Sequence, residues 1–198
     1  MSRLPRPTLR RRSPAPRRAP AGGRRMLVTA LLLTVAALAC ARLTARWGPD
    51  AAELVRLGPP EGAVLLTDRV VDVIDGDTIR TARYGRVRYI GIDTPELDDR
   101  DPDVRRMAQE ARRANERLVA GRQVQLMQDV QSHDRYGRLL AYVWVDGLFV
   151  NAWLVQQGYA SVLTVPPNVR YAAQLVELQR DARRAERGLW ASGGRQSL

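Results

Sequence analysis

Residues 64–92 read VLLTDRVVDVIDGDTIRTARYGRVRYIGI, and this stretch decides the fold. Strand-like composition runs from Val64 to Ile74, where Asp75-Gly76 supplies turn chemistry. A second run follows from Thr78 to Tyr84, Gly85 turns the chain again, and a third run spans Val87 to Ile92. Three strands are therefore expected to arrive as a meander.

Outward from this stretch, residues 93–106 are polar and acidic and are read as a loop. Met107, Ala111, Ala114 and Leu118 then recur at the spacing of one helix face, and Gly121 stops that helix. Val124 to Met127 and Leu139 to Val145 are expected as strands, with Asp146-Gly147 as a hairpin leading into Leu148 to Val150. A short helix is expected from Asn151 to Gln157, stopped by Gly158. A final helix would carry Leu175, Leu178, Ala182, Ala185 and Leu189 on one side. Three strands, a helix, two further strands and then helices is the order of a five-stranded oligonucleotide/oligosaccharide-binding (OB) barrel, in which the middle helix closes one end. The expected class is α+β, mainly β, with a helix between strands three and four and two C-terminal helices. No internal repeat is visible, so a single barrel is expected.

The chain of 198 residues has room for one such domain and an extension. Its formal charge of +11 is unevenly placed: residues 1–42 hold ten arginines and no acid, which leaves 22 basic against 21 acidic residues in the remainder. The basic character thus describes the N-terminus more than the body. Residues 1–25, rich in Arg and Pro, are expected as a disordered basic arm. Met26 to Ala41 is an apolar run directly after Arg24-Arg25, short for a membrane span and suited to a signal-peptide core, with Ala37-Leu38-Ala39 as a small-x-small cleavage site. An uncleaved anchor over residues 26–44 stays open, and both readings place the body outside the cytoplasm. Residues 42–63 are read as a linker, 64–190 as the folded domain and 191–198 as a flexible tail. Cys40 is the only cysteine, so neither an intramolecular disulfide nor a cysteine-based metal site is available.

Three segments concentrate the unusual residues: Asp75-Gly76-Asp77-Thr78, Arg88 with Asp93-Thr94-Pro95-Glu96, and Asp134-Arg135-Tyr136-Gly137-Arg138. Their chemistry suits metal-assisted phosphodiester cleavage. Calcium takes hard oxygen ligands, for which Asp77, Asp93 and the Thr94 carbonyl are candidates. Arg88 and Arg138 are candidates to clamp a phosphate bidentately and stabilise its transition-state charge. Glu96, at the start of an exposed loop, is the candidate to orient or deprotonate an attacking water.

In this chain those segments read VIDGDTI, RYIGIDTPE and DRYGRLLAYV, and similarity continues through VNAWLVQQGYA to GLW at residue 190. They resemble the staphylococcal nuclease (thermonuclease) family over about residues 64–190. The resemblance implies a calcium-dependent nuclease acting on DNA and RNA and leaving 3′-phosphate ends. It further implies Asp77, Asp93 and Thr94 as calcium ligands, Arg88, Glu96 and Arg138 as catalytic residues, and Arg135 and Tyr136 on the substrate. A monomer is the default, with no obligate protein partner.

This chain departs from the family pattern at Thr164 and Pro166, which stand where tyrosines pack around the nucleotide, and in the acidic loop of Asp98, Asp99, Asp101 and Asp103. The acidic run imitates a calcium loop of the helix-loop-helix type, but Val104 sits where the sharp turn demands glycine, so it is read as a solvated loop before a helix. His133 is the only histidine and is read as a surface residue. Trp144, Trp153 and Trp190 are read as core or docking residues rather than a base-stacking platform. The alternative functions are a catalytically silent barrel that binds nucleic acid or a protein partner, and a membrane-anchored envelope protein.

Overall fold

The computed structural model describes residues 55, 56 and 58–191. The expectations for the basic arm, the apolar run and its cleavage site, Cys40 and the tail beyond 191 lie outside these residues. Among the described residues, no helix is long and apolar enough to cross a membrane.

Strands β1 (Leu66–Val73), β2 (Thr78–Thr81) and β3 (Gly85–Tyr89) form the expected antiparallel meander. After the two-residue strand β4 (Ile92–Asp93) comes helix α1 (Pro102–Val119), and then β5 (Gln123–Met127), β6 (Leu139–Val145) and β7 (Leu148–Phe149). Helix α2 (Val150–Gln156), strand β8 (Ser161–Val162), helix α3 (Ala172–Arg184) and a 3-10 turn at Gly188–Trp190 complete the chain. β1 pairs with β5, β5 with β6, and β6 returns to β3 in parallel, so five strands close a barrel and β7 extends it. Closure leaves those five strands without a free edge.

Alternation sends Val87 and Tyr89 of β3 inward, and a register shift between Val70 and Asp72 lets β1 bury both Val70 and Val73. Leu126, Trp144, Phe149 and Leu154 fill the same core. Trp144 stacks on Phe149 at 4.4 Å between ring centroids, and Tyr171 meets Phe149 edge-on at 5.0 Å. Val55, within the stretch expected as a linker, is buried and its carbonyl accepts from the Phe149 N–H at 2.9 Å.

Four expectations need correcting. The acidic loop is shorter than 93–106, because Asp101 caps α1 by accepting from the Asp103 N–H at 2.8 Å, with Pro102 at the first turn. The run from Val87 to Ile92 splits, because Gly91 has a φ of 82° and turns the chain out of the barrel, leaving Ile92 and Asp93 to pair with β8. Val150 opens α2 instead of ending the preceding strand. The last helix stops at Arg184, so Ala185 is its exposed cap and Leu189 belongs to the separate 3-10 turn.

That turn docks main chain to main chain, the Leu189 N–H donating to the Gly158 carbonyl at 2.8 Å, and the Arg187 guanidinium adds a bond to the Gln156 carbonyl at 3.0 Å. A Cβ on Gly158 would collide with the Arg187 carbonyl, and one on Gly188 with the Gly158 carbonyl.

The tight link between β2 and β3 rests on Asp68, a buried carboxylate on β1. It accepts from the Arg83 N–H at 2.7 Å and the Tyr84 N–H at 3.2 Å, with Arg69 N–H on its other oxygen at 2.8 Å. Burial alone would raise its pKa, but the hydrogen bonds from Arg83, Thr81, Arg69 and Tyr84 outweigh it and hold the carboxyl below 3.8. A depressed pKa means stability that is complete above the unfolded value and lost as pH falls through the folded one. Asp68→Asn should therefore cost roughly 1–3 kcal/mol at neutral pH. In urea unfolding, the gap between wild type and variant should narrow progressively below about pH 4; a gap that is constant with pH would exclude this role.

Candidate active site

Arg88 lies on β3, opposite Thr78 of β2 and Leu140 of β6. The alternation that buries Val87 and Tyr89 turns Arg88 to the outer side, where it is still mostly covered. Its guanidinium donates to the Tyr89 carbonyl at 3.0 Å and the Ile92 carbonyl at 2.8 Å. It also meets Asp93 Oδ1 at 2.7 Å and Asp77 Oδ2 at 3.1 Å. A covered cation needs such company.

Asp77 is buried at the turn between β1 and β2, and Asp93 ends β4 half exposed. Asp77 Oδ2 accepts the N–H and hydroxyl of Thr94 at 2.9 and 3.2 Å, and Oδ1 accepts the Thr78 hydroxyl at 3.1 Å. Burial pushes the Asp77 carboxyl from 3.8 up to about 7, with Arg88 opposing and Asp75 and Asp93 adding to the rise. Glu96 is exposed, and among the described residues no hydrogen bond holds its carboxylate. Its pKa is raised by partial burial, then by Asp75, Asp93 and Asp98, against Arg88. The structure thus joins Asp77, Arg88, Asp93 and Thr94 by direct contact and Glu96 through its field.

The third segment shares with Arg88 a cleft of about 460 Å³ bordered also by Leu140, Leu163 and Val165; Asp77, Asp93, Thr94 and Glu96 are not in its lining. Arg138 donates through Nε to Asp134 Oδ2 at 2.6 Å within the hairpin, and it also lines the cleft. Tyr136 is 69% exposed, with the guanidiniums of Arg135 and Arg138 at 4.8 and 5.6 Å from its ring centroid. Thr164 and Pro166 are exposed and do not border the cleft; Leu163 and Val165 do. His133 is exposed. Trp144 is core, while Trp153 stacks on Tyr159 and Trp190 lies under Arg183.

Among the described residues, no three acidic, imidazole or thiol side chains converge into a ready metal cage. The donor chemistry nevertheless fits a hard divalent cation. Asp75 and Asp93 act through space on both Asp77 and Glu96, adding to the rise that burial causes, while Arg88 opposes it. Two carboxylates and a carbonyl, completed by water, are acceptable to calcium.

Sequence reading missed two supports, both asparagines. Asn115 of α1 is fully buried, accepts the Tyr89 hydroxyl at 3.0 Å and donates to the Asp75 carbonyl at 3.3 Å. Asn151 donates to the Ile90 carbonyl at 2.9 Å and accepts from the Val143 N–H at 3.0 Å. Asp75 Oδ1 accepts the Asp77 N–H at 3.0 Å and so fixes the turn. The signal for Asn115 was present as a polar residue next to the alanine stripe of α1.

The description "Staphylococcal nuclease homologue" matches residues 86–192. The chain belongs to the staphylococcal nuclease family. It is 35% identical over 129 residues to the thermonuclease of Staphylococcus hyicus, covering 64% of this chain and 76% of that one. Two proteins of Bacillus subtilis (strain 168) are each 37% identical: the SPbeta prophage-derived endonuclease YokF over 135 residues and the endonuclease YncB over 126. These matches cover 65% and 61% of this chain; the chain spans 46% of the length of YokF and 60% of that of YncB.

Gly76 lets the family's acidic turn pass beneath α1. A Cβ there would lie 2.7 Å from Thr94 Cγ2 and 2.8 Å from the Ala111 Cβ. Gly76→Ala should cost about 1–3 kcal/mol, since neither neighbour is the end of a flexible chain. A urea midpoint unchanged from wild type would refute the close packing of turn and helix.

Proposed function

We propose that this chain is an exported, calcium-dependent nuclease that hydrolyses phosphodiester bonds of DNA and RNA and leaves 3′-phosphate ends. The observation that carries the reading is Arg88, held between Asp77 and Asp93 on the border of a cleft that it shares with Arg138 and Tyr136. Membership of a family whose relatives include a thermonuclease and endonucleases supports hydrolysis of nucleic acid. Export rests on the apolar run from Met26 to Ala41 behind its arginines, either as a leader or as an anchor. A monomer needing no protein partner is the simplest state for this single barrel.

In this reading Asp77, Asp93 and the Thr94 carbonyl hold calcium, which when bound neutralises phosphate charge. The rest falls to the chain's own residues. Arg88 and Arg138 hold the scissile phosphate and stabilise charge on its oxygens as the trigonal-bipyramidal state forms. Glu96, unpinned and with a raised pKa, accepts a proton from water as that water's oxygen bonds to phosphorus. The bond from phosphorus to the 5′ oxygen breaks, the 5′ alcohol leaves with a proton from solvent, and the phosphate stays on the 3′ side. Tyr136 and Arg135 contact the base and backbone at the rim.

The full-length protein should cleave labelled single-stranded DNA with calcium and stop when the ion is chelated. Arg88→Ala and Glu96→Gln should each lower kcat by about two to three orders of magnitude. Because Glu96 must be ionised and its pKa is raised from 4.5, the acid limb of the wild-type rate profile should lie above that value and vanish in Glu96→Gln. DNA binding without cleavage, unaltered by either substitution, would replace the enzyme by a binding barrel.

A further inference from the structure

The outer face of the barrel beside the cleft carries arginines of which two, Arg80 and Arg86, have no part in the catalytic reading. Arg86 and Arg88 are two residues apart on β3 and share a face, since Val87 between them points into the core. Directly opposite Arg86 on β2 stands Arg80, also exposed. On the other side β3 and β6 run parallel with Val87 opposite Leu139, and Arg138 immediately precedes that strand. Arg80 and Arg86 therefore lie abreast on neighbouring strands about 4.8 Å apart, and Arg88 is one step further along.

Their partners are few. Arg138 pairs with Asp134, and Arg80 with Asp72 at 2.7 Å in an exposed pair. Among the described residues the Arg86 side chain has no hydrogen bond or ion pair. Like charges directly opposite in a sheet are destabilising, so the Arg80 and Arg86 pair works against the fold. An anion laid across the row reverses that sign. The exposed Arg80–Asp72 pair is the kind worth under about 1 kcal/mol, so Arg80 is free to turn to a stronger anion.

We infer that Arg86, assisted by Arg80, forms a second phosphate-binding position, which takes a phosphate of the substrate strand next to the one being cleaved. The inference rests on the nuclease reading and deepens it. Two residues along a strand span about 6.6 Å, comparable to one nucleotide of an extended single strand, so Arg88 and Arg86 meet successive phosphates of one chain. The chemical class is a single-stranded polynucleotide, because the cleft beside the row offers the exposed Tyr136 ring and the apolar Leu163 and Val165 to an unpaired base. A dinucleotide with one phosphodiester cannot reach both positions.

The test compares the full-length wild type, Arg86→Ala, Arg86→Lys and Arg86→Glu on a 20-nucleotide single strand and on a dinucleotide with one phosphodiester. For Arg86→Ala, kcat/KM on the long strand should fall at least fivefold more than on the dinucleotide. Arg86→Lys should recover most of the loss, and Arg86→Glu should deepen it. The slope of log KM for the long strand against log salt should flatten by about 0.7, the value of one phosphate contact on a single strand. Equal effects on both substrates, no effect on either, or an unchanged salt slope would overturn the second position while leaving the nuclease intact. A wild type that cuts neither substrate would overturn the nuclease reading itself.

Discussion

One covered guanidinium organises this molecule. Arg88 collects two carboxylates and two main-chain carbonyls from three places in the chain: the turn after β1, the end of β3 and strand β4. Each contact is ordinary by itself. Together they decide how the chain leaves the barrel after Tyr89, because the Ile92 carbonyl and Asp93 reach the guanidinium only if Gly91 turns the backbone. The same exit sets β4 against β8, and the segment that follows β8 supplies Leu163 and Val165 to the cleft. Removing one member of so covered an ion cluster costs more than its contacts, since the others are left desolvated without a partner.

The charge pattern follows from that centre. Near-neutral in sum, the residues after 42 separate their charges in space. Carboxylates gather around Asp77, where burial first and then the neighbouring Asp75 and Asp93 hold the Asp77 and Glu96 carboxyls above their ordinary range, whereas arginines line the adjoining strand faces. A phosphate chain and a divalent cation are complementary to these two regions. The acidic residues of the following loop are spent locally: Asp99 accepts from the Asp101 N–H and Asp101 caps α1. They form turns and a helix start, which is why their resemblance to a cation loop has no counterpart in the structure.

Most of the barrel was legible in the chain because alternation and turn chemistry are local signals. Val87 and Tyr89 point inward as their period requires, and Asp146-Gly147 turns the hairpin with positive φ at both residues. Element ends were less legible. Gly91 is a single residue whose effect depends on Arg88 waiting to receive the next carbonyl, and the stop at Ala185 depends on a docking site 27 residues earlier in the chain. For the site, residue types and order announced the carboxylates and arginines. Neither announced Asn115 or Asn151, because an asparagine buried beneath a turn and one on a solvated surface look alike until the carbonyl that each one holds is known.

The docking of Gly188 against Gly158 has a consequence for what can vary there. Two stretches of main chain meet at that point, and a Cβ on either glycine would fall against the carbonyl of the other stretch. The end of α2 and the turn after α3 are therefore held at a spacing set by backbone dimensions, so the side chains around this contact can change while the two glycines cannot.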